Sequence, residues 1–160
     1  MPDVADFTAR ICGICPVAYQ MSAVHAVERI FGIEVEEPMR QLRRLLYCGE
    51  WIESHSLHIY LLQGADFYVA ENAWSKKKYL PIAKKGLSFR KLGTRILTII
   101  GGRPVHPVSV KVGGFSKLPE KKVLRSLLPD LQKAYEESLE EIGRAAGLSF
   151  GENRIDVECV

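Results

Sequence analysis

Cys12 and Cys15 carry the most chemistry in this sequence. Two thiols at C-x-x-C spacing, on a turn that enters a helix, can hold one ion side by side. N–H groups at a helix start, with the dipole behind them, favour thiolate, and Arg10 adds positive charge two residues away. Thiolates are soft donors suited to nickel, zinc, copper(I) or iron. The pair alone leaves a zinc site, a redox dithiol and other uses open. A structural zinc site asks for two further ligands. Cys48, His55 and His58 are candidates, but the sequence has no second C-x-x-C and no tight H-x-x-x-H pair. A thioredoxin-like dithiol asks for a strand just before the motif, and only eleven residues precede Cys12.

The remaining chemistry-bearing side chains have plain structural readings. Cys48 reads as a small packed side chain, and Cys159 has no assignable role. His55 and His58, one turn apart, read as buried and hydrogen-bonded. Asp66 follows Gly64-Ala65, where an aspartate is as readily a turn residue as a functional acid. His106, between two prolines, can hold a turn, and His25 has no evident partner. The lysine-rich stretch 76–91 reads as a solvated face.

These residues must be positioned mostly by helices. Pro16 suits the first position of a helix, and Val17, Met21, Val24, Ile30 and Phe31 recur at near-helical spacing until Gly32. A first helix is expected from Pro16 to Phe31. Glu36-Glu37-Pro38 is a second start signal. Met39, Leu42, Leu45, Leu46, Ile52, Ile59 and Leu62 then continue a helical period, with Gly49 inside it and Gly64 closing it. Residues 75–100 read as helix interrupted at Pro81 and Gly86. Val105, Val108, Val110 and Val112 suggest short extended segments ended by Gly113-Gly114. Residues 119–128 and 129–146 read as two helices, or one kinked at Pro129. The tail 151–160 could be a strand. The expected class is mainly α with a small β element (α+β).

Composition narrows the function. The 160 residues suit one domain, and 47% hydrophobic with 26% charged residues excludes disordered and fibrous classes. A net charge of +3 is too weak to argue for nucleic acid. No apolar run approaches the ~20 residues of a membrane span. No apolar stretch in the first fifteen residues marks a secretory signal. The expected location is cytoplasmic, and four cysteines do not make a disulfide scaffold.

Three ordered motifs extend the reading. Arg10-Ile11-Cys12-Gly13-Ile14-Cys15-Pro16-Val17-Ala18 resembles the first metal-binding motif of the large, catalytic subunit of nickel–iron hydrogenases. Ser54-His55-Ser56-Leu57-His58-Ile59-Tyr60, followed by Asp66, resembles that family's histidine-containing helix and its loop aspartate. Gly101-Gly102-Arg103-Pro104-Val105-His106-Pro107, closing at Gly113-Gly114, resembles its third block. The segments 18–23 and 45–55 are most similar to the cytosolic, multimeric branch that couples hydrogen to NAD(P).

The resemblance implies a role for each matching position. Cys12 would be a terminal nickel ligand, and Cys15 a thiolate bridging nickel to an iron that carries carbon monoxide and cyanide. Asp66 would be an outer-shell carboxylate. Arg10 and His106 would lie toward the nearest iron–sulfur cluster of a small subunit. The implied partners are that small subunit together with diaphorase-type subunits, with neither nucleic acid nor a membrane span.

Two departures matter. Tyr19 stands where the family commonly has histidine, and a phenol titrating near ~10 cannot carry protons at neutral pH as imidazole does. The family's second cysteine pair, in a D-P-C-x-x-C-x-x-H motif, does not occur here. Its E-G-H segment and the arginine facing the Asp66 position are also missing. Residues 1–160 therefore read as a single partial domain, the N-terminal part of a large subunit whose C-terminal segment lies elsewhere. Half of a four-thiolate site should not turn over hydrogen. A quinone-binding relative of the kind found in respiratory complex I lacks the nickel cysteines, which this chain keeps. The alternative from another class is a stand-alone zinc-binding or interaction module built on Cys12, Cys15 and either a histidine or Cys48.

Overall fold

The computed structural model describes residues 4–63 and 76–147. It is helical apart from one small hairpin, as the periodicities require. A short helix that the apolar spacing does not announce comes first, α1 (Val4–Ala9), with Ala5 and Ala9 buried. α2 follows over Pro16–Phe31 with the expected bounds, proline in its first turn and a left-handed Gly32 at its end. Val17, Met21 and Val24 are fully buried along one stripe of α2. Ile30 and Phe31, which share the same period, are 75% and 59% exposed.

α3 spans Glu37–Ser56 and runs on as a π-helical segment, Leu57–Leu62. The buried face set by Leu46, Glu50 and Ser56 carries through this segment at α spacing. Tyr60 is buried there, whereas Ile59 and Leu62 face solvent. The segment is anchored by the Tyr79 hydroxyl, which donates to the Tyr60 carbonyl at 2.6 Å. Tyr60 also stacks on Phe89, with ring centroids 5.8 Å apart.

α4 is a single helix, Lys76–Gly101, not the interrupted one expected. Pro81 lies inside it and forgoes the one hydrogen bond to the Lys77 carbonyl without ending the helix. Phe89, Leu92, Ile96, Leu97 and Ile100 bury its inner face. α3 and α4 pack against each other through glycine. A Cβ on Gly93 would stand 2.6 Å from both the Glu53 nitrogen and the Gly49 carbonyl oxygen, and one on Gly49 would stand 2.8 Å from Ile96. A glycine inside a helix is a weak point by propensity, yet Gly49 is the contact that lets the two backbones meet.

After α4 the chain doubles back. The Val108 amide donates to the Gly101 carbonyl at 2.8 Å, and the Ser109 hydroxyl donates to the Ile100 carbonyl. β1 (Val110–Lys111) pairs antiparallel with β2 (Gly114–Phe115), in the register Val110 with Phe115 and Lys111 with Gly114. Gly114 thus belongs to the second strand instead of ending the extended segment. α5 (Lys121–Arg125) and α6 (Leu128–Ala145) are separate, with Pro129 in the first turn of α6 and buried Leu127 between them. No residue of α6 is fully buried, and Leu128, Tyr135, Leu139 and Ile142 are exposed. No helix among the described residues is long and apolar enough to cross a membrane. The expected strand at 151–160 lies outside the described residues.

Candidate metal centre

The loop between α1 and α2 carries the two thiols. α1 closes with the Arg10 and Ile11 amides donating to the carbonyls of Phe7 and Thr8. The chain then turns around the sulfur of Cys12, which accepts the amides of Ile14 at 3.4 Å and Cys15 at 3.2 Å. The neighbouring Cys15 thiol, followed by the amides of Ile14 and Cys15, holds the Cys12 thiol below its ordinary value. The Cys12 side chain beside it, with burial adding to this, pushes the Cys15 thiol up to about 11. The two thiols thus lie close enough to shift each other in opposite directions. Both cysteines are half-buried and free, and Ile11, Gly13 and Ile14 beside them are exposed.

The amides that lower Cys12 come from the loop, whereas the sequence alone points to those at the start of α2. The first donors of α2 are taken by a carboxylate. Val17 donates to Glu50 Oε2 at 2.6 Å and Ala18 to Glu50 Oε1 at 3.2 Å. Glu50 comes from α3 and is only 2% exposed. Burial raises its pKa, and the two amides pull it part of the way back. Its negative charge opposes ionisation of both thiols. Arg10 is engaged elsewhere, in an exposed ion pair with Asp6 at 3.0 Å.

The third motif docks against the first. His106 adopts a positive φ of 53°, and its Nδ1 hydrogen-bonds the carbonyl of Ala9 at 2.7 Å. The Arg103 Nε donates to the His106 carbonyl, and Gln20 Nε2 donates to the Pro107 carbonyl at 2.8 Å. His106 therefore sits on the residue before Arg10, and the block 103–107 is tied to both α1 and α2. Segments almost a hundred residues apart in sequence meet at the thiol loop.

Other expected site residues are placed differently. His55 and His58 are exposed, not buried, because Ser56 and Tyr60, four residues apart, take the inner face of this helix. Cys48 is half-buried in an apolar groove with Trp51, Ile52 and Ile142. Tyr19 is 42% exposed in the first turns of α2. His25 is exposed, and its pKa is lowered by partial burial and by Arg43. Asp66 and Cys159 lie outside the described residues. Among the described residues no third cysteine, histidine, aspartate or glutamate joins the two thiols as a metal-binding group. The zinc module built on Cys12, Cys15 and Cys48 or a histidine therefore gains no ligand there.

Motif reasoning does not single out Glu50, although a signal is present. Arg43, Leu46 and Glu50 recur three and four residues apart on one helix face, and Leu46 is fully buried. A carboxylate on a buried stripe must be paired or capped.

Known proteins share this scaffold. Residues 1–85 match the family model described as nickel-dependent hydrogenase, which is more than half of the chain. The alpha chain of sulfhydrogenase 2 from Pyrococcus furiosus is 40% identical over 78% of this chain and 31% of its own length. A vhu chain of the F420-non-reducing hydrogenase from Methanocaldococcus jannaschii is 32% identical over 84% of this chain and 34% of its own. Among solved structures, an NAD+-reducing [NiFe]-hydrogenase in the H2-reduced state superposes with a TM-score of 0.75 at 24% identity, over 89% of this chain and 34% of that one. The Ni-Fe-Se hydrogenase from D. vulgaris Hildenborough gives a TM-score of 0.72 at 26% identity, over 83% and 31%. The helical scaffold is thus part of the nickel–iron hydrogenase large-subunit fold. The chain belongs to the nickel-dependent hydrogenase family, and it spans about a third of the length of the relatives it matches.

Proposed function

We propose that this chain is the N-terminal portion of a nickel–iron hydrogenase large subunit whose complete form oxidises and produces H2 reversibly. The observation that supports this most is the pair of free, half-buried thiols, Cys12 and Cys15, on one surface loop that turns around the Cys12 sulfur. Two soft thiolates with an open side suit half of the ligand set of a nickel–iron centre. In this reading the sulfurs of Cys12 and Cys15 would both hold the nickel–iron centre. When bound, the centre, with carbon monoxide and cyanide on its iron, supplies heterolytic cleavage of H2.

The chain's own residues hold that edge in place. The amides of Ile14 and Cys15 keep the Cys12 sulfur oriented and favour its thiolate. Asp66 is the proposed outer-shell carboxylate. Arg10 and His106 face the proximal iron–sulfur cluster of the small subunit, and the bond from His106 to Ala9 holds the third block against the thiol loop on that side. Diaphorase-type subunits would pass electrons to NAD(P), and the assembly would be cytoplasmic.

The remaining two thiolates come from a segment bearing D-P-C-x-x-C-x-x-H. The groove lined by Trp51, Ile59, Leu131, Tyr135 and Ile142, between α3, α4 and α6, is where the rest of the large subunit packs. Apolar side chains left this open are normally covered in a finished domain.

Co-expression tests the reading. The 160-residue chain alone should bind little nickel and reduce no dye under H2. Supplying the segment with the second cysteine pair, together with the small subunit, should give a nickel-containing complex with H2 uptake. Cys12→Ser or Cys15→Ser should abolish both. Hydrogen turnover by the chain alone would overturn the partial-domain reading, and a nickel-free complete complex would overturn the assignment.

A further inference from the structure

We propose that Glu50 is a positioning residue: it caps the start of α2 in place of the Cys15 side chain, leaving that sulfur free for a ligand role beside Cys12. This rests on the reading of the two thiols as ligands and adds how the loop is kept ready for a metal.

The argument starts from what a helix start requires. The side chain at the N-cap normally accepts an N–H from the second or third helical residue. Cys15 occupies the N-cap of α2 and makes no such bond. Pro16 has no N–H to offer, so the first donors needing a partner are those of Val17 and Ala18. Val17 is fully buried, where an unmet donor is costly. A thiol is a poor acceptor for them, and a sulfur drawn back to serve them would turn away from its neighbour. Glu50 removes that demand by giving one oxygen to each amide.

The carboxylate itself is held by the fold. Its neighbour Gly49 and nearby Glu53 form the close backbone contact with Gly93, so this turn of α3 has no room to shift. No lysine or arginine among the described residues pairs with Glu50, although Arg43 on the same face is paired with Glu28. Its carboxylate oxygens accept from the two helix amides. Glu50 therefore acts as an anchor for the backbone directly behind Cys15, and it touches neither sulfur.

The test uses the 160-residue chain and Co2+ as a spectroscopic stand-in, read through thiolate-to-cobalt charge-transfer absorption. Glu50→Ala should weaken cobalt binding by about 10- to 100-fold, the range for losing a supporting partner of a metal ligand. Amide exchange should accelerate at Val17 and Ala18 while Val24 stays protected. The ratio of Cys12 to Cys15 alkylation by iodoacetamide, measured without metal, should also change. Glu50→Gln keeps one carbonyl acceptor, should fall between the two, and keeps the test readable if the alanine variant does not fold. Val24→Ala, which loosens α2 away from the cap, should lower stability while leaving cobalt affinity and the alkylation ratio unchanged. Unchanged cobalt affinity, exchange and alkylation in Glu50→Ala would overturn the proposal. Two thiols alone hold metal weakly. If the unaltered chain binds too little cobalt to measure, exchange at Val17 and Ala18 and the metal-free alkylation ratio decide the role of Glu50, and unchanged values in Glu50→Ala overturn it.

Discussion

Two buried carboxylates join α2 to α3, one near each end of α2, and they are stabilised in opposite ways. Glu28, near the C-terminal end of α2, forms a two-pronged ion pair with Arg43, at 2.6 and 2.9 Å, and accepts the Gly113 amide at 2.8 Å. Arg43 also reaches the Lys111 carbonyl at 3.1 Å, so the hairpin is tied into the same knot. Burial alone would raise the Glu28 pKa, but Arg43 and the Gly113 amide hold it below the usual carboxylate range. Glu50, at the other end, has only helix amides, and its pKa stays raised. Val17 meets Glu50 and Glu28 meets Arg43, so the two helices run antiparallel. One end is a neutralised clamp that fixes the scaffold. The other places an uncompensated carboxylate under the thiol loop, where a competing cation would itself have been a partner for the sulfurs.

The sharpest way to break this comparison is Arg43→Met, which strands Glu28 in the core. It should cost about 3–5 kcal/mol in urea unfolding, the range for a buried charge left unpaired. Adding Glu28→Leu should restore most of that, showing that the loss came from the stranded charge. Next in size is Gly93→Ala, whose Cβ meets the α3 backbone beside Glu50. We expect a loss of about 1–3 kcal/mol, with amide protection at Val17 and Ala18 falling while that at Gly113 is kept.

pH dependence separates the two carboxylates by sign. The depressed pKa of Glu28 contributes stability that is present above the usual glutamate value, about 4.3, and is lost as pH falls through its folded value. The raised pKa of Glu50 works the other way. Its contribution is fully present below the usual value and is lost as pH rises to its folded pKa, because the unfolded chain ionises first. Glu28→Gln should flatten the acid limb of a stability–pH profile, and Glu50→Gln the decline above it. The smallest effect expected is that of Asp6→Asn. Its exposed pair with Arg10 should be worth no more than about 0.5 kcal/mol by denaturant midpoint.

Much of the scaffold is visible in local pattern. Pro16 and Gly32 bracket α2, Glu36-Glu37-Pro38 opens α3, and Pro129 starts α6, because caps and proline geometry are properties of a few neighbouring residues. Where structure and pattern part, the causes are ones that periodicity does not carry. Ile59 and Leu62 follow Ile52 in the apolar period, but α4 covers the face of Leu46, Ser56 and Tyr60 instead, which apolar spacing alone does not choose. Pro81 signals a break, yet the packed length of α4 outweighs one lost hydrogen bond. Gly49 is a flaw in α3 taken alone and a contact once Gly93 meets it across the α3–α4 interface.

The sequence by itself determined the thiol pair, its place before a proline-started helix, and the order of the three motifs, since each is a matter of residue type and spacing along one chain. Only the tertiary structure decided what serves the first amides of α2, which cation neutralises which buried carboxylate, and that His106 closes on Ala9. Those pairings join residues between 15 and 97 positions apart. A hydrogen bond between distant segments leaves no periodic trace in either, and it exists only once packing has brought both to within about 3 Å.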